Sequence, residues 1–204
     1  MFTLDGNMTF INVDQTYLSK LHEVCSEVYY KSSNYDNKPY IGILINNNGR
    51  KYVIPLSSAK EKHKTWKDVE KDCFRIYEIV EKSKVKEDDI WISIDDQKVK
   101  QIFSVMDIKK MIPIKEGVYH RVNINPDEND TEKTKKYKDL LNREYIFCLK
   151  IIDDVIAKAN KLYDKQMATG KISKFCCDFR ALENVADESI FCEQGKDFES
   201  PSRY

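Results

Sequence analysis

This 204-residue chain predicts an α+β domain, a small and mostly antiparallel sheet with helices packed at its sides. Three observations lead there. Several short apolar segments alternate with period two, as half-buried strands do. Two of them, Tyr40–Ile45 and Tyr52–Pro55, flank an Asn/Gly turn at Asn46–Gly49, which is a hairpin signal. One long segment, Glu132–Thr169, keeps helical spacing instead, and Gly170 stands where such a helix would stop.

In chain order, Phe10–Val13 reads as a short strand. Asp14 is placed to cap a helix running to about Tyr30, with Tyr17, Leu18, Leu21, Val24, Cys25 and Val28 as its apolar stripe. Residues 31–37 form a polar loop before the hairpin. His63 precedes a polar helix or loop containing Trp66, then an apolar-periodic stretch from Cys73 to Val80. Residues 81–89 are a charged connector. Ile90–Ile94, Gln101–Val105, Met111–Ile114 and Val118–Ile124 read as strands. Pro113 suits an edge or bulge, and Val118, His120 and Val122 share a face. On the long helix Leu141, Tyr145, Cys148, Ile152, Val155, Ile156, Ala159 and Leu162 make the buried stripe. Leu182 and Val185 sit on a last short helix, and residues from about 193 form a frayed tail of a single domain spanning 1–204.

Composition excludes several classes. The formal net charge is +0, so the chain is not globally basic. The charge is unevenly placed, however: residues 31–75 hold ten Lys/Arg against five Asp/Glu, and both flanking regions are net negative. Six cysteines without a C-x-x-C pair, and three histidines, argue against a zinc site and for ordinary thiols in a reduced, cytoplasmic protein. No apolar run is long enough to span a bilayer. Rossmann, Walker and nucleophile-elbow motifs are absent. The acidic clusters Glu87–Asp89 and Asp95–Asp96 lie in charged, loop-like contexts that fit solvation better than two-metal chemistry, so no cofactor is expected.

The chemistry-bearing residues gather after the hairpin. Ser57, Ser58, Lys60, Lys62 and His63 follow the second strand within a few positions, Lys64 comes next, and Lys38 opens the partner strand. Lys38 and Lys60 lie at the same end of an antiparallel hairpin and could converge on one phosphate. Serine hydroxyls and loop N–H groups add directed donors for a crowded phosphorane. The competing reading is a polar loop whose lysines are simply solvated. His63 is either a general acid or base, or a loop cap. Tyr35 and Tyr40 could stack on bases, although with twelve tyrosines most are structural.

The ordered blocks KPYIGIL, KYVIPLSSAKEKH, MIPI, a long helix ending in NKLY, and FCCDF–ALE resemble the ToxN/AbiQ family, the endoribonuclease toxins of type III toxin–antitoxin and abortive phage infection systems. The resemblance runs from FINVDQTYLSKL to about Glu183. Its most specific piece is IPLSSAKEKH, similar to the family's P-L-[TS]-S-x-K-x-x-H stretch. The family often has proline where this chain has Ala59, and the segment from about 76 to 105 looks longer than in relatives.

The resemblance implies a compact, strongly bent, barrel-like sheet similar to other small toxin ribonucleases. It implies metal-independent, sequence-selective RNA cleavage leaving a 2′,3′-cyclic phosphate and a 5′-hydroxyl. Ser57, Ser58 and Lys60 fall on the active-site strand end, Lys38 on the lysine before the first hairpin strand, and Tyr35 close to an active-site tyrosine. The implied partner is a repeated pseudoknot RNA antitoxin, cut from its precursor by the toxin and held with it in a closed assembly, with cellular and phage RNA as substrates and no protein antitoxin or membrane. RNA-binding positions are then Tyr35, Tyr40, Lys62, His63 and Lys64. The alternative is a non-catalytic RNA-binding regulatory module using the same basic strip; a protein-interaction domain is a third reading.

Overall fold

The computed structural model describes residues 1–4, 6, 8–30, 39–70 and 72–194, and their side chains except at 42–47 and 189–194. The elements are β1 (Thr3–Leu4), β2 (Thr9–Val13), α1 (Gln15–Val24), β3 (Tyr40–Asn47), β4 (Arg50–Ser58), β5 (Val69–Glu70), β6 (Cys73–Glu81), β7 (Trp91–Ser93), β8 (Lys98–Asp107), β9 (Ile112–Ile114), β10 (Tyr119–Arg121), α2 (Glu132–Thr169) and α3 (Phe179–Gln194). The predicted tail beyond about 193 lies, from Gly195 onward, outside the described residues.

The strands form one antiparallel sheet in the order β10-β2-β3-β4-β8-β6-β5, with β1 added to β3, β9 to β4 and β7 to β8. The expected antiparallel sheet is present, without closing into a barrel. The sheet is open, because its ends are a three-residue and a two-residue strand that no pairing joins among the described residues. Strand β4 is its spine. One side pairs with β3, where Tyr40 stands opposite Pro55. The other pairs with β9 over Lys51–Val53 and then with β8 over Leu56–Ser58. Pro55, which has no N–H to donate, falls where the partner changes, the kind of position a strand proline tolerates.

Helix α1 starts as expected, the Asp14 carboxylate accepting the Tyr17 N–H at 3.0 Å. It ends at Val24 rather than near Tyr30. Cys25 is extended (φ −139°), and the following turn, closed by Val28 N–H on the Cys25 carbonyl, buries Val28. The Cys73–Val80 stretch is strand β6. The predicted Val118–Ile124 strand shrinks to Tyr119–Arg121. Val118 is buried and His120 exposed, so the shared face does not form.

Helix α2 occupies the predicted span. Thr131 caps it by accepting the Thr134 N–H, and Gly170 closes it in a left-handed conformation (φ 66°) that costs a glycine little. At 38 residues it is about 57 Å long. Gln166, buried near its end, accepts from the Phe179 N–H at 2.7 Å and donates to the Cys177 carbonyl at 3.0 Å, so it ties α3 to α2. Ring contacts among Phe2, Tyr52, Tyr163 and Phe179, with centroids 4.8–6.2 Å apart, fill the core where α2 and α3 meet β4. Glu183 on α3 accepts from the phenols of Tyr52 (2.6 Å) and Tyr163 (2.8 Å), and Arg50 pairs with Asp187 at 2.8 Å. Tyr52 is fully buried, so its hydroxyl has no recourse to water. Replacing Glu183 by Ala is therefore expected to cost about 1–3 kcal/mol for each phenol left without an acceptor, read as a lower urea midpoint.

Candidate active site

Ser57 and Ser58 are the last two residues of β4, not loop residues. Pairing to Val105 and Ser104 of β8 holds them in strand geometry. Both are half-buried, and the ladder continues one step further through Ala59 N–H to the Phe103 carbonyl (3.0 Å). Lys60 leaves the strand extended (φ −137°, ψ 161°) and exposed, at the start of a 3-10 turn over Glu61–Thr65. Two hydroxyls, a backbone end and an ammonium group thus share a single strand exit.

His63 decides the shape of that exit. Its Nδ1 accepts the Lys60 N–H at 3.0 Å while the His63 backbone N–H donates to the Lys60 carbonyl at 2.8 Å. The ring lies 4.6 Å from that of Trp66 and is only 3% exposed. With Nδ1 accepting, a neutral ring carries its proton on Nε2. Burial pushes the imidazole pKa down, and the nearby Lys62, Lys60 and Arg75 charges push it further. The expectation that His63 contacts RNA is corrected: the ring is buried as the brace of the loop.

A second anchor comes from β6. Arg75, 6% exposed, donates from Nη1 to the carbonyls of His63 (3.0 Å) and Lys64 (3.3 Å), and from Nη2 to Asp68 at 2.6 Å. Lys100 of β8 closes on the same carboxylate at 2.6 Å and lies 4.2 Å from the Tyr77 ring. Burial works to raise the Asp68 pKa, but the hydrogen bonds from Lys100 and Arg75 outweigh it and hold the carboxyl below its ordinary value. Sequence reasoning missed Arg75, Asp68 and Lys100. The one available signal was a cation inside an apolar run, Phe74-Arg75-Ile76. Ser104, opposite Ser58, was also missed; its buried hydroxyl has no hydrogen-bond partner among the described residues.

The other candidates separate. Lys62 is exposed, its Nζ 5.7 Å from the Trp66 ring centroid. Lys64 is half-buried and paired with Glu61 at 2.9 Å. Tyr40 is corrected: at 3% exposure, with its hydroxyl donating to the Tyr29 carbonyl, its ring packs in the core and offers no face to a base. Tyr35 and Lys38 lie outside the described residues, although β3 begins opposite Pro55, two positions before Ser57. Among the described residues, no three or more His, Cys, Asp or Glu side chains are grouped to hold a metal ion, and no helix is long and apolar enough to cross a membrane.

The family model described as toxin ToxN, type III toxin–antitoxin system, matches residues 9–187. The chain belongs to the ToxN toxin family. Among its relatives, the endoribonuclease ToxN of Bacillus thuringiensis subsp. kurstaki is 26% identical over 98% of this chain and 94% of its own length. The endoribonuclease AbiQ of Lactococcus lactis subsp. lactis is 25% identical over 88% of this chain and 87% of its own. Two solved structures share the fold. One is a type III toxin selectively inhibited by a non-coding RNA pseudoknot, with TM-score 0.67, 22% identity, and coverage of 90% of this chain and 98% of that one. The other is AbiQ, a lactococcal anti-phage endoribonuclease, with TM-score 0.66, 22% identity, and coverage of 92% and 99%.

The His63 brace carries a pH signature. An unfolded chain takes up the imidazole proton near the ordinary value of about 6.5, whereas the folded ring resists it until a lower pH. Within that window the unfolded state binds more protons, so stability falls as pH drops through it. Urea midpoints measured from about pH 7 down to about pH 5 are expected to fall for wild type and to lose that component in His63→Asn, whose amide oxygen can still accept the Lys60 N–H.

Proposed function

We propose that this chain is a metal-independent, sequence-selective endoribonuclease toxin, neutralised by a repeated pseudoknot RNA antitoxin that it processes itself, and active in abortive phage infection. The observation that carries the reading is the rigid exit of β4, where Ser57, Ser58 and Lys60 sit together in a member of the ToxN family. Its relatives' names as endoribonucleases, and a structural neighbour's inhibition by an RNA pseudoknot, support the extension to RNA cleavage and to an RNA antitoxin.

The chemistry follows from the groups available. The RNA's 2′-hydroxyl attacks the adjacent phosphorus, the 5′ oxygen leaves, and the products are a 2′,3′-cyclic phosphate and a 5′-hydroxyl. Charge grows on the non-bridging oxygens as the phosphorane forms. An ammonium at Lys60, fixed by a braced backbone, is well placed to meet it, with Ser57 or Ser58 donating a hydrogen bond. We assign Lys38 to phosphate placement and Tyr35 to RNA binding, as the family resemblance implies. His63 acts as a positioning residue, since the Nδ1 lone pair a base would need is already taken by Lys60 N–H. The 2′-hydroxyl proton therefore goes to a lysine or to Tyr35. Lys62 and Lys64 lie on the surface next to the exit and hold the backbone of the strand, Lys64 less strongly because Glu61 competes for it.

Incubating purified protein with cellular RNA in EDTA tests the reading. Cleavage that survives the chelator and leaves cyclic phosphate ends is the expected result. Tight binding of RNA that stays intact would instead favour a non-catalytic RNA-binding module. In the same assay Lys60→Ala, with folding confirmed by circular dichroism, is expected to lower the cleavage rate about a hundred- to a thousand-fold, the usual loss for one transition-state contact.

A further inference from the structure

Beside Ser58 lies an open cleft of about 760 Å³, whose walls come from β6, β8, the connector after β6 and the first half of α2. The volume is within the range of about 300–1,000 Å³ typical of ligand sites. Of its lining, only Ser58 takes part in the proposed phosphate chemistry. Three features of its lining point to one use.

Phe103 sits where β8 departs from regular pairing. Ile76 pairs with Ser104 and Tyr77 with Ile102, so Phe103 is left opposite no residue of β6. Such a bulge re-aims a side chain, and bulges gather near active sites. Its carbonyl accepts the Ala59 N–H, which places Phe103 directly beside the strand exit. Over its ring, at 4.4 Å from the centroid, lies the guanidinium of Arg143 from α2. That guanidinium is held in place by hydrogen bonds. Nε and Nη2 donate to Glu78 at 2.8 and 2.6 Å, and Nη2 reaches Gln101 at 3.2 Å, two residues that face each other across the β6–β8 ladder. A third of the Arg143 side chain remains exposed. Lys84, Lys86, Lys135 and Lys136 line the cleft together with Asp88, Asp89 and Asp139, so with Arg143 its lining keeps a small excess of positive charge.

A planar cation held over an aromatic ring and still partly exposed can serve as a platform for an unpaired nucleobase, and flanking lysines suit the phosphate that follows. We propose that Arg143, backed by Phe103, stacks the unpaired nucleotide next to the scissile phosphate and so favours the larger, better-stacking bases at that position. The assignment rests on the ribonuclease reading for its place in the reaction, but the stacking itself can be measured without cleavage.

The test uses the full chain carrying Lys60→Ala, which is expected to hold RNA uncut, and short unstructured RNAs with 2-aminopurine at successive positions. A stacked 2-aminopurine loses fluorescence. Binding should quench one position strongly, and adding Arg143→Lys, which keeps a cation for Glu78 but loses the plane, should restore its fluorescence. In the otherwise wild-type chain, Arg143→Lys should flatten base preference at one position flanking the cut. It should also lower kcat/KM for the preferred base roughly 5- to 150-fold, the worth of one stacked base, while preferences elsewhere persist. Unchanged quenching together with unchanged base preference in Arg143→Lys overturns the proposal. Arg143-dependent quenching of RNA that the wild-type chain binds but never cuts would sink the ribonuclease reading and still support the stacking platform.

Discussion

One buried guanidinium sets the course of the chain that carries Lys60. Arg75 satisfies two consecutive carbonyls of the Glu61–Thr65 turn and one carboxylate oxygen of Asp68. A buried cation without such partners would be costly, so the turn is obliged to stay where its carbonyls point at β6. His63 then closes the turn from within through the Lys60 backbone. The exposed lysine is therefore the free tip of an immobilised loop, and its placement is decided before any substrate arrives.

The same logic reaches outward along β8. That strand pairs with both β4 and β6, so it fixes the distance between the serines and Arg75. It also donates Lys100 to the Asp68 carboxylate and carries the bulge at Phe103. Strand exit, brace and cleft all depend on one ten-residue strand. The segment from about 76 to 105 thus lies beside the strand exit and lines the cleft. On the far side, α3 locks the other end of β4 through Glu183 and Asp187, so the spine of the sheet is held at both ends.

Much of this was legible in the sequence, and the failures have physical causes. The hairpin, the α2 span and its Gly170 stop are local: turn chemistry, periodicity and a glycine suffice to read them. The strand-end block around Ser57, Ser58 and Lys60 was recognisable as a motif. Its strand character was not, because the hydrogen bonds that extend β4 come from β8, far along the chain. Arg75 passed unremarked inside the apolar stretch from Cys73 to Val80, because the carbonyls and carboxylate that hold it come from the separate turn after β4. Residue type alone made Tyr40 a stacking candidate and left His63 open between chemistry and a loop cap, whereas both rings are buried. Arg143 and Phe103 gave no signal, since a bulge and a helix packed across it leave no trace in spacing.

The central claim is that the braced backbone, rather than the lysine alone, makes this strand exit a site. Steady-state cleavage of a short RNA by Arg75→Met, a variant of similar volume that cannot reach the His63 and Lys64 carbonyls, addresses it most directly. With the protein still folded by circular dichroism, the account predicts kcat lowered by about a hundredfold, as misplacement of a catalytic group does, with KM changed little. A folded Arg75→Met chain that cleaves at the wild-type kcat would contradict it.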